Sequence, residues 1–148
     1  MDGRAQCGDF SISTNPSDFD IRAIHAALST SYWAAGIPLE TVARSVAHSL
    51  CFGVFHDDAQ IGFARVITDR ATFAYIGDVY ILEAYRGRGL GTWLMATITA
   101  HPDLQGLRRW SLVTRDAHGL YAQFGFTALN EPGGYMEKSG IASYLERA

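Results

Sequence analysis

VYILEAYRGRGLG, residues 79–91, is the most informative segment of the chain. An apolar run typical of a strand ends in a short turn, and a helix begins within the glycines that follow. Glycine permits positive φ angles and lets a ligand approach the backbone closely. The first N–H groups of a helix have no intrahelical partner and carry the positive end of the helix dipole. The segment therefore predicts a strand–turn–helix that binds phosphate, to which Arg86 and Arg88 add positive charge.

Two other phosphate-binding motifs fit this segment less well. A Walker A loop needs Gly-Lys-Ser/Thr, which the sequence lacks. The dinucleotide fingerprint G-x-G-x-x-G needs glycine at position 92, where Thr92 stands, and it belongs on the first strand of a βαβ unit. The remaining alternative is that the glycines only form a tight turn between a strand and a helix.

Apolar periodicity on either side of this segment predicts a single domain over 1–148, with 1–9 as a flexible tail. Spacings of three and four indicate helices, and short apolar runs bounded by turn residues indicate strands. The expected order is β-α-α-β-β-β-α-β-α-β-β, an α/β or α+β fold with about four helices packed on a mixed sheet. Ser17 or Asp18 is the expected cap of the first helix. The later elements are expected at 51–55, 61–67, 73–82, 89–100, 110–113, 117–124, 126–129 and 135–136.

Composition excludes several classes of protein. Of the 148 residues, 48% are hydrophobic, which argues against disorder. A net charge of −3 gives no electrostatic reason to expect nucleic acid or an anionic membrane as partner. No apolar run is long enough for a membrane-spanning helix, and the polar N-terminus lacks the apolar core of a signal peptide. Cys7 and Cys51 cannot form a disulfide framework or a four-ligand metal site, the histidines are scattered, and a cytoplasmic protein without a metal is expected.

Two motifs in order resemble one protein family. Arg86-x-x-Gly89-x-Gly91 resembles the Q/R-x-x-G-x-G/A motif of the GNAT superfamily of acyl-CoA-dependent N-acetyltransferases. Residues 117–126, AHGLYAQFGF, resemble the A-x-x-L-Y-x-x-x-G-F segment of the same family. The expected order of elements also agrees from residue 10 to about 137. The resemblance implies the GNAT fold, whose central sheet is mostly antiparallel, and acetyl-CoA as cosubstrate.

The resemblance also implies where coenzyme A binds. Its pyrophosphate would lie on the glycine turn against backbone N–H groups, and its pantetheine arm would pair with the preceding strand. A backbone N–H of that strand would donate to the thioester carbonyl and stabilise the oxyanion. Thr114 stands where the family often has an asparagine. The implied cofactor-binding residues are Val79, Tyr80, Ile81, Arg86, Gly87, Arg88, Gly89, Leu90, Gly91 and Thr114.

Two protons must move when an amine attacks the thioester directly. Tyr121 matches the tyrosine of the family and is the implied acid for the departing thiolate; the alternative is a core aromatic. Asp78, a carboxylate in an apolar strand, is the candidate base, since burial raises the pKa of an acid. The alternatives are that Asp78 pairs with an arginine or caps a backbone group, or that a water chain replaces a single base. Glu83 and His118 fit solvated surface positions better.

The acceptor site is implied near the connection between the first two helices. Tyr32 and Trp33 stand there as an amine pocket or lid, unless they close the core. Tyr75 on the central strand is a further candidate for contact with the acceptor. The acidic first half of the chain favours a cationic acceptor, and a small-molecule primary amine is expected. The alternatives are a protein N-terminus or lysine, and a non-catalytic acyl-CoA-binding domain; the family also implies a homodimer as one expectation.

Overall fold

One sheet of six strands forms the centre of the computed structural model, which describes residues 4–141 and 143–147. The strands lie in the sheet in chain order. Neighbours are antiparallel except the last two, which are parallel and are therefore joined by a helix. The strands are β1 (Ala5–Cys7), β2 (Phe10–Ser13), β3 (Leu50–His56), β4 (Ala59–Thr68), β5 (Phe73–Ile81) and β6 (Arg109–Leu112).

The described residues contain four α-helices, and these cover both faces of the sheet. One buried cluster joins α3 to residues such as Phe52 and Val54, and a second joins α1 and α2 to Cys51 and Phe63. Successive strand residues point to opposite faces, which is why Cys51 and Phe52 belong to different clusters. The predicted fold, a mostly antiparallel mixed sheet with about four helices, is confirmed. The helices are α1 (Ile21–Leu28), α2 (Leu39–Ala47), α3 (Leu90–Thr99) and α4 (His118–Ala122).

The first part of the chain differs from the prediction in two places. Strand β1 lies within the expected flexible tail, where it pairs with β2, and Arg4 forms an ion pair with Asp18 at 3.0 Å; residues 1–3 lie outside the described residues. The cap of α1 is Asp20, whose carboxylate accepts a hydrogen bond from the N–H of Ala23 at 3.0 Å. Ser17 and Asp18 instead belong to a short 3-10 turn.

The expected closing strands at 126–129 and 135–136 are wrong. In the described residues beyond β6 there is no strand, and a 3-10 turn, Pro132–Gly134, separates the two expected segments. Each apolar run is only a few residues long, and proline and glycine between them favour a turn over a ladder of strand hydrogen bonds.

Strand β5 is irregular where it will form the candidate site. Arg65 of β4 pairs with Gly77, whereas Phe63 pairs with Tyr80, so β5 carries one extra residue at this point. Asp78 lies at this bulge with a φ angle of 55°. Strand β6 pairs with β5 only over Phe73–Ile76, so the two strands separate beyond Ile76 and leave a gap along residues 77–81.

The helices of the described residues are too short or too polar for any of them to cross a membrane.

Candidate active site

The gap between β5 and β6 leads to the glycine-rich turn. Strand β5 continues through the 3-10 turn Glu83–Tyr85, and α3 begins at Leu90. Gly87 and Gly89 have φ angles of 80° and 78°, and a Cβ atom at either would find no heavy atom within 4 Å. Gly89 caps α3 without a side-chain hydrogen bond, so the N–H groups of the first turn lack an intrahelical partner. The turn therefore presents an open surface suited to an anion.

The two arginines of the turn both make contacts within it. Arg86 donates from Nε to the carbonyl oxygen of Ile81 at 2.8 Å, which ties the turn to the end of β5. The guanidinium of Arg88 lies 5.7 Å from the centroid of the Tyr85 ring. Arg86 therefore helps to hold the turn, and the part of either arginine in binding phosphate stays a prediction.

The side chains of residues 79–81, next to the bulge, pack on the two faces of the sheet and do not occupy the gap. Val79 and Ile81 pack against the core under α3, and Tyr80 packs against Phe63 on the other face, where burial raises the pKa of its phenol. Only the backbone of 79–81 is thus left to face the gap on the side of β6. Across the gap, Thr114 accepts a hydrogen bond from the N–H of Ala117 at 3.0 Å, so its hydroxyl helps to begin α4.

Tyr121 extends from α4 into the core with 8% of its surface exposed. Its ring lies 6.1 Å from that of Phe126, so the expectation of a core aromatic describes the ring correctly. Its hydroxyl forms no hydrogen bond with another residue in the part of the chain that the structure describes. Burial, together with the nearby Tyr32, raises the pKa of the phenol. Tyr121 is therefore protonated at neutral pH and has a donor to offer.

Asp78 is held by two donors from different parts of the chain. Arg65 donates from Nε to one carboxylate oxygen at 2.8 Å, and Trp33 donates from Nε1 to the other at 2.9 Å. Only 11% of the Asp78 side chain is exposed, and Arg65 also donates to the hydroxyl of Ser49 at 3.3 Å. The pairing with an arginine, which the sequence left open as the alternative to a base, is what the structure contains. The sequence reasoning missed Arg65, although an arginine inside the apolar strand 61–67 was an available signal.

Tyr32 and Trp33 lie in the loop between α1 and α2, residues 29–38, which we term the acceptor loop. They are 53% and 43% exposed, so they do not close the core, and their ring centroids are 5.0 Å apart. The guanidinium of Arg115 lies 3.7 Å from the centroid of the Tyr32 ring. The acceptor loop therefore meets the segment between β6 and α4. Nothing in the sequence pattern indicated a role for Arg115, because Tyr32, the residue that it contacts, is distant along the chain.

The remaining candidates occupy less informative positions. Tyr75 is half-buried on β5, and its ring lies 3.4 Å from where a Cβ atom of Gly77 would stand, close to the bulge. Glu83 and His118 are exposed, as expected for solvated residues. Among the described residues no three histidine, cysteine or acidic side chains are grouped so that they could hold a metal ion.

A large cavity lies away from these residues. It has a volume of about 1090 Å³ and borders β6, residues 104–108 and residues 124–131. Neither the glycine turn nor Tyr121 lines it.

Comparison with known proteins gives consistent matches. A model of the acetyltransferase (GNAT) family matches residues 19–126. A curated relative from Gibberella zeae, classed as an acetyltransferase, is 33% identical over an alignment covering 78% of this chain and 77% of the relative. A crystal structure from Xanthomonas campestris pv. campestris, described as an acetyltransferase of the GNAT family, is 52% identical, with a TM-score of 0.90 over 94% of this chain and 99% of that one.

N-acetylglutamate synthase from Neisseria gonorrhoeae, solved with coenzyme A and N-acetyl-glutamate, has a TM-score of 0.66. It is 20% identical over 86% of this chain and 30% of its own, so this likeness concerns the fold alone.

Proposed function

The chain belongs to the acetyltransferase (GNAT) family, and from that premise we propose that it transfers the acetyl group of acetyl-CoA to a primary amine of a small molecule. The amine attacks the thioester directly, within a complex of both substrates. The observation that carries the proposal is the gap between β5 and β6, which ends at a helix N-terminus that has no side-chain cap and lies inside a glycine turn.

Coenzyme A fits the backbone features of this gap. The pyrophosphate would be held by N–H groups of the turn and of the first residues of α3, chiefly those of 87–91. The pantetheine arm carries amide groups that can pair with the free edge of residues 77–81, where β6 no longer does so. Thr114 stands on the opposite side of the gap and retains a hydroxyl hydrogen to donate.

The chemical step needs positioning and the movement of two protons. A nitrogen–carbon bond forms as the amine attacks, and the carbon–sulfur bond then breaks. A backbone N–H after the bulge would donate to the oxygen of the thioester as it becomes negative. Tyr121 would protonate the departing thiolate, because its hydroxyl is protonated and has no partner among the described residues.

For Asp78 we propose a positioning role. Both of its oxygens already accept hydrogen bonds, so it holds the acceptor loop against the bulge of β5. The ammonium group of the acceptor would lose a proton to solvent water before its neutral amine attacks. The alternative hypothesis is that Asp78 itself accepts this proton as the base.

The setting of the reaction is also part of the proposal. The net charge of −3 gives no electrostatic reason to expect nucleic acid or an anionic membrane as partner, and the proposed enzyme acts in the cytoplasm on a small molecule. The homodimer stays a prediction.

Calorimetry and a thiol-release assay test the proposal. Acetyl-CoA should bind in the micromolar range and more tightly than NAD, and thiol should be released when a panel of primary amines is added. Tyr121→Phe should lower kcat by about 10²- to 10⁴-fold at an unchanged affinity for acetyl-CoA, since only the proton donor is lost.

Tyr135→Phe, which alters an exposed tyrosine beside Arg109, is the matched control and should keep the wild-type rate. If folded wild-type protein bound no coenzyme A species, the proposal would be rejected. Binding without transfer to any amine or peptide would favour the non-catalytic alternative.

A further inference from the structure

Four acidic residues in the first half of the chain make contacts within the fold. Asp18 pairs with Arg4, Asp20 caps α1, and Asp69 accepts hydrogen bonds from the backbone of the turn between β4 and β5. Asp78 is the carboxylate that contacts the acceptor loop, and Arg65 compensates its charge. The negative charge of Asp78 is therefore already compensated before an ammonium group approaches. The expectation of a cationic acceptor stays a prediction.

Arg115 is a cation at the same loop with no such compensation. No acidic side chain among residues 4–141 and 143–147 forms an ion pair with it. The Cζ atom of its guanidinium lies over the Tyr32 ring, 3.7 Å from the centroid, so the ring contacts the planar group. The N–H donors of a guanidinium lie in its plane, so stacking leaves them free to bind a carboxylate through two parallel hydrogen bonds.

The position of Arg115 is fixed relative to the candidate acid. Tyr32 contacts Trp33, and Trp33 is hydrogen-bonded to Asp78 at the bulge. Tyr32 also lies near enough to Tyr121 to contribute to the raised pKa of its phenol. A group bound by Arg115 would thus lie at the edge of the same cleft, within reach of a small molecule whose amine faces the thioester.

We propose that the acceptor is an amine that also carries a carboxylate, and that Arg115, stacked on Tyr32, binds this carboxylate. The inference rests on the proposed function and adds the chemical class of its acceptor. It assigns to Tyr32 the role of orienting the guanidinium rather than that of contacting an ammonium group.

The test compares acceptors that carry the carboxylate with related acceptors that lack it. Amino acids, their carboxamides and the corresponding decarboxylated amines should be compared as acceptors, each at a saturating concentration of acetyl-CoA. With wild-type protein, kcat/KM for an amino acid should exceed that for its carboxamide by about tenfold or more, because only the carboxylate forms a charge-assisted pair with the guanidinium. Most of the difference should appear in KM.

Variants then ask whether Arg115 causes the preference. In Arg115→Gln the ratio between amino acid and carboxamide should fall toward one, and Arg115→Lys should restore part of it. Tyr32→Leu should lower the ratio, while Tyr32→Phe keeps a ring under the guanidinium and should retain it. Arg108→Gln, which removes an exposed arginine beside the large cavity, is the matched control and should leave the ratio unchanged.

Three results would overturn the inference. In the first, wild-type protein transfers acetyl to the carboxamide or the decarboxylated amine as well as or better than to the amino acid, and the proposed function survives. A wild-type preference that persists in Arg115→Gln would place the carboxylate elsewhere. A raised KM for acetyl-CoA in Arg115→Gln, with the acceptor ratio unchanged, would assign Arg115 to the cosubstrate. Absence of acetyl-CoA binding to wild-type protein is a separate result and would reject the proposed function itself.

Discussion

Asp78 adopts a left-handed backbone conformation, with φ at 55°, in the middle of a strand. This region is unfavourable for residues other than glycine by about 1–2 kcal/mol, although aspartate tolerates it better than most. The hydrogen bonds from Arg65 and Trp33 offset that cost, and the bulge they stabilise is the point beyond which β5 and β6 no longer pair. The hydrogen bonds of the Asp78 side chain therefore help to maintain the shape of the gap, and the bulge in turn places that side chain beside Arg65 and Trp33.

Two substitutions separate positioning by Asp78 from proton transfer. Trp33→Phe removes the indole N–H but keeps an aromatic ring, and Asp78→Asn removes the charge. If Asp78 positions the acceptor loop, both should raise the KM of the acceptor by about 3- to 30-fold, and the pH dependence of kcat should keep its wild-type form. The measurement is a pH–rate profile for each variant with the best acceptor found.

A base would give a different pattern. Asp78→Asn would then lower kcat by 10²-fold or more and abolish the acidic limb of the profile, while Trp33→Phe would retain that limb. Trp110→Phe, in a tryptophan that packs on Phe126 away from the acceptor loop, is the control for loss of an indole.

At the scale of elements, the turn between β5 and α3 was predictable because its determinants are adjacent in the chain. Glycines that need positive φ, a preceding apolar strand and a following apolar helix all lie within residues 73–99. The hydrogen bond that links the acceptor loop to β5 was not predictable in this way. Trp33 and Asp78 are 45 positions apart, and only the folded sheet brings them together. The prediction of closing strands was wrong for a related reason, since a short apolar run forms a strand only where it can pair with the edge of a neighbouring strand.

Gly89 tests the turn at this scale. A Cβ atom there would meet nothing within 4 Å, so Gly89→Ala should cost only the backbone strain of a positive φ, about 1–2 kcal/mol of the free energy of unfolding. Relief of that strain would re-aim the first N–H groups of α3, and the affinity for acetyl-CoA should fall by tenfold or more. Gly89→Asn should lose less of both, because asparagine adopts this conformation more readily. Urea unfolding and calorimetry measure the two quantities.

The control for Gly89 is Gly140→Ala, at an exposed position that also has open space around it but no positive φ. It should unfold and bind like the wild type. Equal stability and affinity in Gly89→Ala would mean that the left-handed cap is not needed for the anion site.

At the scale of the whole molecule, periodicity predicted the fold class because it reports which residues each element buries. Ile24 and Leu28 of α1, and Val42 and Val46 of α2, each stand four positions apart and are buried. The sequence could not assign them to a cluster separate from the one under α3, since that division depends on which face of the sheet each helix covers. The cluster under α1 and α2 also encloses a titratable group, the thiol of Cys51.

Burial of Cys51 makes the stability of the molecule depend on alkaline pH. The thiol lies against Val46, and burial raises its pKa from 9.0 to about 12. Between these values the unfolded chain releases the thiol proton while the folded chain retains it. The unfolded state then binds fewer protons, so the free energy of unfolding falls as pH rises, by about 1.4 kcal/mol per pH unit for one such group. Below pH 9 the thiol should have no effect, and at pH 10.5 it should account for a loss of about 2 kcal/mol.

Cys51→Ala isolates this contribution. The quantity to compare with the wild type is the loss of unfolding free energy between pH 8 and pH 10.5, not the free energy at one pH. The alanine leaves a small void that lowers stability equally at both pH values, whereas the loss on going to pH 10.5 should be about 2 kcal/mol smaller than in the wild type. Cys7→Ala, which removes an exposed thiol, should retain the wild-type loss. Tyr80 and Tyr121, whose pKa values burial also raises, should supply the residual decline in every variant above about pH 10. Urea unfolding under reducing conditions measures these differences, and an identical loss in Cys51→Ala and wild type would mean that the thiol ionises freely in the folded molecule.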